Sequence, residues 1–260
     1  MRVATRALRH WTLLDWTPVS PVVDATTAEG QDSAILASVS AVSGGRLVVL
    51  PTDTVYGIGC DAFDVAAVAN LLAAKGRGRD MPPPVLIGEV RTLDGIATDI
   101  QPYVRDLVER FWPGALTVIL KAQPSLAWDL GDTEGTVAAR MPDDEIALEI
   151  LRRTGPMAVT SANRTGEPAA TTVLEAATQL GSSVEVYVDG GPRTSQSPST
   201  IVDCTGPAPV VLRAGAITED DLAAVMTSAA LPQDPVTQDP EPQDPETQDP
   251  DQQDPKPTDV

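Results

Sequence analysis

Between residues 31 and 219, short apolar runs alternate with amphipathic helical patterns, and that alternation leaves few architectures open to the chain. Residues 31–43 carry Ile35, Val39 and Val42 on one helical face and stop at Gly44-Gly45. Residues 47–51 form a continuous apolar run, the pattern of a buried strand. Asp64 then caps a helix with Val68, Leu71 and Leu72 facing inward. A strand at 85–87 follows, and Pro102 opens a helix whose inner face is Val104, Leu107, Val108 and Phe111. Strands are expected at 116–120 and 137–139, a helix at 147–153 closed by Gly155, and a strand at 157–160. A helix at 173–180, strands at 184–188, 201–202 and 210–212, and a last helix from about Glu219 complete the series. Some connections are too short for helical crossovers, so the expectation is an α/β domain with a twisted mixed sheet flanked by helices.

The pattern stops at Pro232. Gln-Asp-Pro recurs at 233–235, 238–240, 243–245, 248–250 and 253–255, and apolar residues nearly vanish. Such a segment cannot bury enough surface to offset its ordering entropy, so 232–260 reads as a disordered acidic tail. Residues 1–16 read as a poorly ordered N-terminal extension, which leaves 17–231 as the working domain.

Charge and composition narrow the chemistry. The net charge of −19 (18 Lys and Arg against 37 Asp and Glu) argues against coating nucleic acid non-specifically. It argues equally against a basic membrane-surface protein. Cys60 and Cys204 make no disulfide framework and lack zinc-ligand spacing, and His10 is the only histidine. A Ser-His-Asp triad in the body of the chain and a His-based metal site are thereby removed. No apolar run approaches the ~20 residues of a membrane span, and the N-terminus lacks a signal-peptide core, so a cytoplasmic protein is expected.

Several motifs sit at strand ends, where open α/β sheets bind ligands. Gly57-x-Gly59-x-x-Ala62 matches a dinucleotide fingerprint formally, but its glycines do not lie directly between a strand and a helix. A phosphate loop of the G-x-x-x-x-G-K-[ST] form does not occur. Residues 51–57 (PTDTVYG) bring two hydroxyls, a carboxylate and a phenol to one loop, which a capped turn would also explain. Lys75, Arg77 and Arg79 alternate with glycines, a combination suited to phosphate; a basic helix terminus is the alternative. Thr160, Ser161 and Asn163 end one strand, Arg140 another, and Ser199 and Arg213 stand at two more. Together they suggest a concave site of hydroxyls and cations, suited to electrostatic catalysis on a phosphoanhydride.

These motifs, in this order, resemble the YrdC-like family of threonylcarbamoyl-AMP synthases. The likeness rests on PTDTVYGIG (51–59), KGR (75–77), FWPGALTVIL (111–120), TVAARMP (136–142), TSANRTGEP (160–168), PSTIVD (198–203) and LRAGAI (212–217). It implies a single YrdC-like domain with a concave ligand-binding face, in the family's short form. The implied reaction makes threonylcarbamoyl-AMP and pyrophosphate from L-threonine, bicarbonate and ATP, for modification of the adenosine beside the tRNA anticodon. By motif, Lys75 and Arg77 would be catalytic and face the triphosphate, with Thr136, Ser161, Asn163 and Arg213 also on ATP. Thr54, Arg140 and Ser199 would hold threonine. Mg²⁺ would arrive on the ATP phosphates without a protein metal site, and a downstream tRNA threonylcarbamoyl transferase would take the product. Weak or no direct tRNA binding is expected, with an RNA-binding module lacking synthase activity as the alternative. Gly78, Met81 and Leu86 stand where many members have Pro, Asn and His, which implies a drier pocket wall.

Overall fold

A computed structural model describes residues 20–195 and 197–229; the extension expected at 1–16 and the tail expected at 232–260 lie outside the described residues. The elements in chain order are β1 (Val22–Asp24), α1 (Ala28–Ser43), β2 (Val48–Leu50), β3 (Gly57–Asp61), α2 (Val65–Lys75) and β4 (Val85–Leu86). Then come α3 (Leu93–Ile96), β5 (Ala97–Thr98), α4 (Pro102–Phe111), β6 (Leu116–Ala122), β7 (Thr136–Arg140) and α5 (Glu145–Thr154). The series ends with β8 (Met157–Ser161), α6 (Val173–Leu180), β9 (Val186–Asp189), β10 (Thr200–Asp203), β11 (Val210–Arg213) and α7 (Glu219–Ala229).

Local chemistry explains the helix limits. Asp64 accepts from the N–H of Ala67 at the start of α2, and Asp144 does the same for Ala147 at the start of α5. Thr172 and Glu175 form a capping box on α6. Pro102 occupies the first turn of α4, where its missing N–H costs nothing. Gly76 ends α2 in the left-handed region at φ 62°, the conformation that turns the chain sharply after Lys75.

The described strands form one mixed sheet in the order β1-β9-β2-β3-β8-β4-β7-β6-β10-β11, with β5 added to β6. β1 and β9, β9 and β2, β4 and β7, and β6 and β10 run parallel; the other pairs are antiparallel. On one face, alternate residues such as Val49, Ile58, Leu116, Val118, Val137 and Val202 pack under α2, α4 and α6 along the length of the sheet. On the other face, Val48, Leu50, Leu86, Met157 and Val186 pack under α1 and α5, and no residue of β6, β7 or β10 joins them. Helices therefore cover both faces of one half of the sheet and a single face of the other half.

Sequence periodicity located α2, α4, α6, β6 and β8 closely, and it missed β1, β3 and the segment from α3 to β5. β3 is the instructive case. Gly57 and Gly59 are poor strand formers, yet the segment is paired antiparallel on both sides, Val49 with Ile58 and Ile58 with Thr160. The glycines are there for space. A Cβ on Gly57 would stand 2.8 Å from Val159 Cγ1, and one on Gly59 would stand 2.6 Å from Val159 Cγ2 and 3.0 Å from the carbonyl oxygen of Ala158. The formal dinucleotide pattern is thus a packing pattern inside a strand.

Gly59→Ala should lower the free energy of unfolding by about 1–3 kcal/mol through this overpacking. Adding Val159→Ala should recover part of the loss in urea denaturation, and strict additivity of the two changes would contradict the packing explanation.

Candidate active site

The uncovered half of that face is the floor of a cavity of about 450 Å³, within the usual range for small-molecule sites. Thr117 and Ile119 of β6, Thr136, Ala138 and Arg140 of β7, and Ser199 and Ile201 at β10 line it from below. The β2–β3 loop contributes Thr52, Thr54 and Tyr56, and the segment after α2 contributes Arg77 and Pro82 to Pro84. Leu130 and Thr133 of the β6–β7 loop, Thr160 and Ser161 of β8, and Arg213 of β11 complete the wall.

Three guanidinium groups meet in this space. Arg140 is 7% exposed and donates from Nε to the Gly114 carbonyl (2.9 Å), from Nη1 to Thr54 Oγ1 (3.2 Å) and from Nη2 to Asp53 Oδ1 (2.6 Å). A guanidinium has five N–H donors, so one remains on each terminal nitrogen, the pair that the two oxygens of a carboxylate take side by side. Asp53 also accepts from the N–H of Asp143, which fixes the carboxylate and through it the arginine. Arg213 donates from Nη2 to the Ser199 carbonyl (2.7 Å) and to Ser199 Oγ (3.0 Å), and Ser199 Oγ shares a 2.9 Å hydrogen bond with Thr117 Oγ1. Arg77 donates from Nη1 to Thr160 Oγ1 at 3.0 Å, while its buried Nε has no partner.

Burial holds all three guanidinium pKa values below the ordinary arginine range; Asp53 opposes the shift at Arg140, and Asp80 opposes it at Arg77. Cations partly stripped of water, with one close carboxylate among them, make the cavity a receptor for anions. The remaining polar groups are hydroxyls, which can serve the oxygens of a sugar, phosphate or amino acid.

Seven of the nine expected site residues line this cavity: Thr54, Arg77, Thr136, Arg140, Ser161, Ser199 and Arg213. Thr136 is partly committed, its hydroxyl donating to the Thr133 carbonyl at 2.7 Å. The other two, Lys75 and Asn163, are buried behind the wall. Lys75 Nζ donates to the carbonyls of Ser161 and Asn163, and Asn163 Nδ2 donates to the carbonyls of Arg164 and Glu167. The expectation placed both on the nucleotide; here neither lines the cavity, and Asn163 Oδ1 is buried with no partner. Arg79, the third cation of the cluster, is pinned to Asp129 at 2.8 Å and Asp132 at 3.4 Å on the β6–β7 loop. The Phe63–Trp128 ring stack ties the same loop down at 5.5 Å. Leu86 lies in the cavity wall, apolar as expected, and Met81 is 39% exposed.

Three contributors were not singled out from the sequence. Thr117 hides in an apolar strand; its signal is a hydroxyl at the alternate position that no helix covers. Asp53 was noted within its loop without its role on Arg140. Arg193 reaches Asp144 (2.8 Å) and the Gly190 carbonyl, with its guanidinium 5.6 Å from the centre of the Tyr56 ring, and so clasps the β2–β3 loop, α5 and the β9–β10 loop together.

A family profile of the Sua5, YciO and YrdC proteins, described as "Telomere recombination", matches residues 40–215. A protein of Mycobacterium tuberculosis strain H37Rv named "Putative threonylcarbamoyl-AMP synthase" is 50% identical over 203 residues, covering 78% of this chain and 94% of its own length. A Mycobacterium leprae protein of the same name is 51% identical over 208 residues, covering 80% of this chain and 94% of that one. The crystal structure of Pyrococcus abyssi Sua5 complexed with L-threonine superposes with a TM-score of 0.76 at 32% identity, over 80% of this chain and 61% of that one.

Asp53→Ala would leave Arg140 as a buried charge without its carboxylate and should lower stability by about 3–5 kcal/mol. Replacing Arg140 by Met in the same chain should restore much of that loss in urea denaturation. An equal loss in the single and double variants would show that the pair is not what holds this corner together.

Proposed function

Because the chain belongs to the Sua5, YciO and YrdC family, we propose that its cavity joins L-threonine, bicarbonate or CO2, and ATP into threonylcarbamoyl-AMP and pyrophosphate. The observation that carries this reading is the convergence of Arg77, Arg140 and Arg213, all partly desolvated, on one hydroxyl-lined space with Asp53 as their close carboxylate. Two anionic substrates fill such a space better than one. The relatives at 50% identity carry the synthase name, which favours this reading over an RNA-binding module without synthase activity.

Threonine sits with its carboxylate on the two spare donors of Arg140, beside Thr54, and with its amine toward Ser199 and Thr117. Its ammonium gives one proton to solvent, and the nitrogen bonds to the carbon of CO2 as a C=O electron pair moves onto oxygen; a second proton then leaves the nitrogen for solvent, giving a carbamate. A carbamate oxygen then attacks the α-phosphorus of ATP in line. The bond from that phosphorus to the bridging oxygen breaks, and pyrophosphate leaves with the electron pair. Arg77 and Arg213 stabilise the charge that grows on the phosphate oxygens, Arg77 through terminal N–H donors beyond the one spent on Thr160. Ser161 and Thr136 orient the nucleotide.

Carried on the ATP phosphates, Mg²⁺ would supply charge neutralisation there, beside Arg77 and Arg213. No cluster of three or more His, Cys, Asp or Glu suited to a metal occurs among the described residues. Asp53 is already engaged by Arg140 and by the N–H of Asp143. The product passes to a tRNA threonylcarbamoyl transferase in the cytoplasm. No helix among the described residues is long and apolar enough to cross a membrane.

Pyrophosphate release should require threonine, bicarbonate and Mg²⁺-ATP together; release indifferent to threonine would refute the reading. Arg77→Ala should lower kcat by roughly 10²–10³-fold, the scale for loss of one donor to developing charge. Arg140→Ala should raise the KM for threonine much more than that for ATP, and equal effects on both would remove Arg140 from the carboxylate.

A further inference from the structure

Lys75 ends α2 and is 3% exposed, although Arg77, two residues on, lines the cavity. Its Nζ donates to the Ser161 carbonyl at 2.5 Å and to the Asn163 carbonyl at 2.6 Å. Its own carbonyl accepts from the N–H of Thr165 at 2.9 Å. One residue therefore grips the loop after β8 at three points. Asn163 braces the same loop from inside, where Nδ2 donates to the carbonyls of Arg164 and Glu167, each at 2.8 Å.

An ammonium has three N–H donors, and two of these are spent on short charge-assisted bonds. Burial, with the Arg77 charge alongside, lowers the Lys75 pKa to about 8, which leaves the group mostly charged at pH 7. Lys75 does not line the cavity, and moving its ammonium onto a phosphate would take the cation from the Ser161 and Asn163 carbonyls. The cavity also gains from the present arrangement. Two carbonyl dipoles that would repel an anion are tied to a cation instead, and Ser161 stays paired with Gly57 at the end of β8, with Ser161 on the cavity wall.

We propose that Lys75 is a positioning residue for the nucleotide: it binds no phosphate and acts by holding the 161–165 loop so that Ser161 faces the cavity. The proposal rests on the reading of the cavity as an ATP site.

Calorimetric binding of ATP and of AMP to the full chain separates the two roles of this lysine. Lys75→Met should weaken both nucleotides by a similar factor, on the order of ten-fold for the loss of a charge-assisted bond. Arg77→Ala should weaken ATP far more than AMP. A loss in Lys75→Met confined to ATP would overturn the proposal. Combining Lys75→Met with Ser161→Ala should cost little beyond either change alone, whereas full additivity would mean that Lys75 acts on the ligand directly. The wild-type chain offers a test independent of any variant's folding. ATP carrying an acyl group on its γ-phosphate acylates lysines within reach of that phosphate, and peptide mass mapping should find Lys75 unmodified. An acylated Lys75 would overturn the proposal. Failure of the ATP reading looks different, because the wild-type chain would then bind neither ATP nor AMP.

Discussion

Helices laid on a sheet bury whatever the strands present to them, so a binding floor can exist only where a helix is withheld. Here α1 and α5 cover one half of their face and leave β6, β7 and β10 open. The strands answer with different side chains on their two sides. Leu116, Val118 and Leu120 of β6 enter the core, while Thr117 and Ile119 meet the cavity. The same split runs through β7, with Val137 and Ala139 packed under helices and Thr136, Ala138 and Arg140 facing the opening, though Val137 also touches the cavity edge. The β2–β3 loop of the covered half joins β11 of the open half in the wall, which is why it draws on residues as distant in sequence as Thr54 and Arg213.

The open floor creates an electrostatic demand. Guanidinium groups placed there lose hydration from the side of the protein and keep it on the side of the ligand. Arg140 is balanced by Asp53, and Arg213 leans on the carbonyl and hydroxyl of Ser199. Arg77 spends one terminal N–H on Thr160 Oγ1. Each therefore holds back hydrogen-bonding capacity that an anion would use. The supporting ion pair, Arg193 with Asp144, stands outside the cavity and fixes the loops that carry this capacity. The cations of the cavity and the ion pair that fixes its loops are thus separate groups.

Much of this could be read from residue order alone. The cap at Asp64, Pro102 and the apolar period of 173–180 encode their helices locally, so α2, α4 and α6 were legible. β3 was not, because its glycines are dictated by Val159 in a strand about a hundred residues away. Of the seven expected site residues on the cavity, Thr136, Arg140, Ser161 and Arg213 are the first or last residues of their strands, and Ser199 directly precedes one, positions that sequence pattern can locate. Thr54 lies in the loop after β2 and Arg77 in the segment after α2. Lys75 and Asn163 are set apart by side chains that bond to backbone carbonyls, which no spacing reports. Family resemblance identifies which residues matter and is silent on whether a residue touches the ligand or holds one that does.

The three cations of the Lys-Gly-Arg-Gly-Arg run end up in different thermodynamic currencies. Lys75 is locked inside, and Arg77 faces the ligand. Arg79 is 57% exposed where it meets Asp129 and Asp132, and pairs of that kind contribute about 0–1 kcal/mol and weaken with salt. On the β6–β7 loop that brings Leu130 and Thr133 to the cavity, these exposed pairs sit beside a hydrogen bond from the Asp132 N–H to the Arg79 carbonyl (2.8 Å), the Phe63–Trp128 stack and the buried Leu130. That wall is anchored chiefly by groups that added salt does not reach. Of the three cations of the run, only the outermost makes contacts that ionic strength weakens.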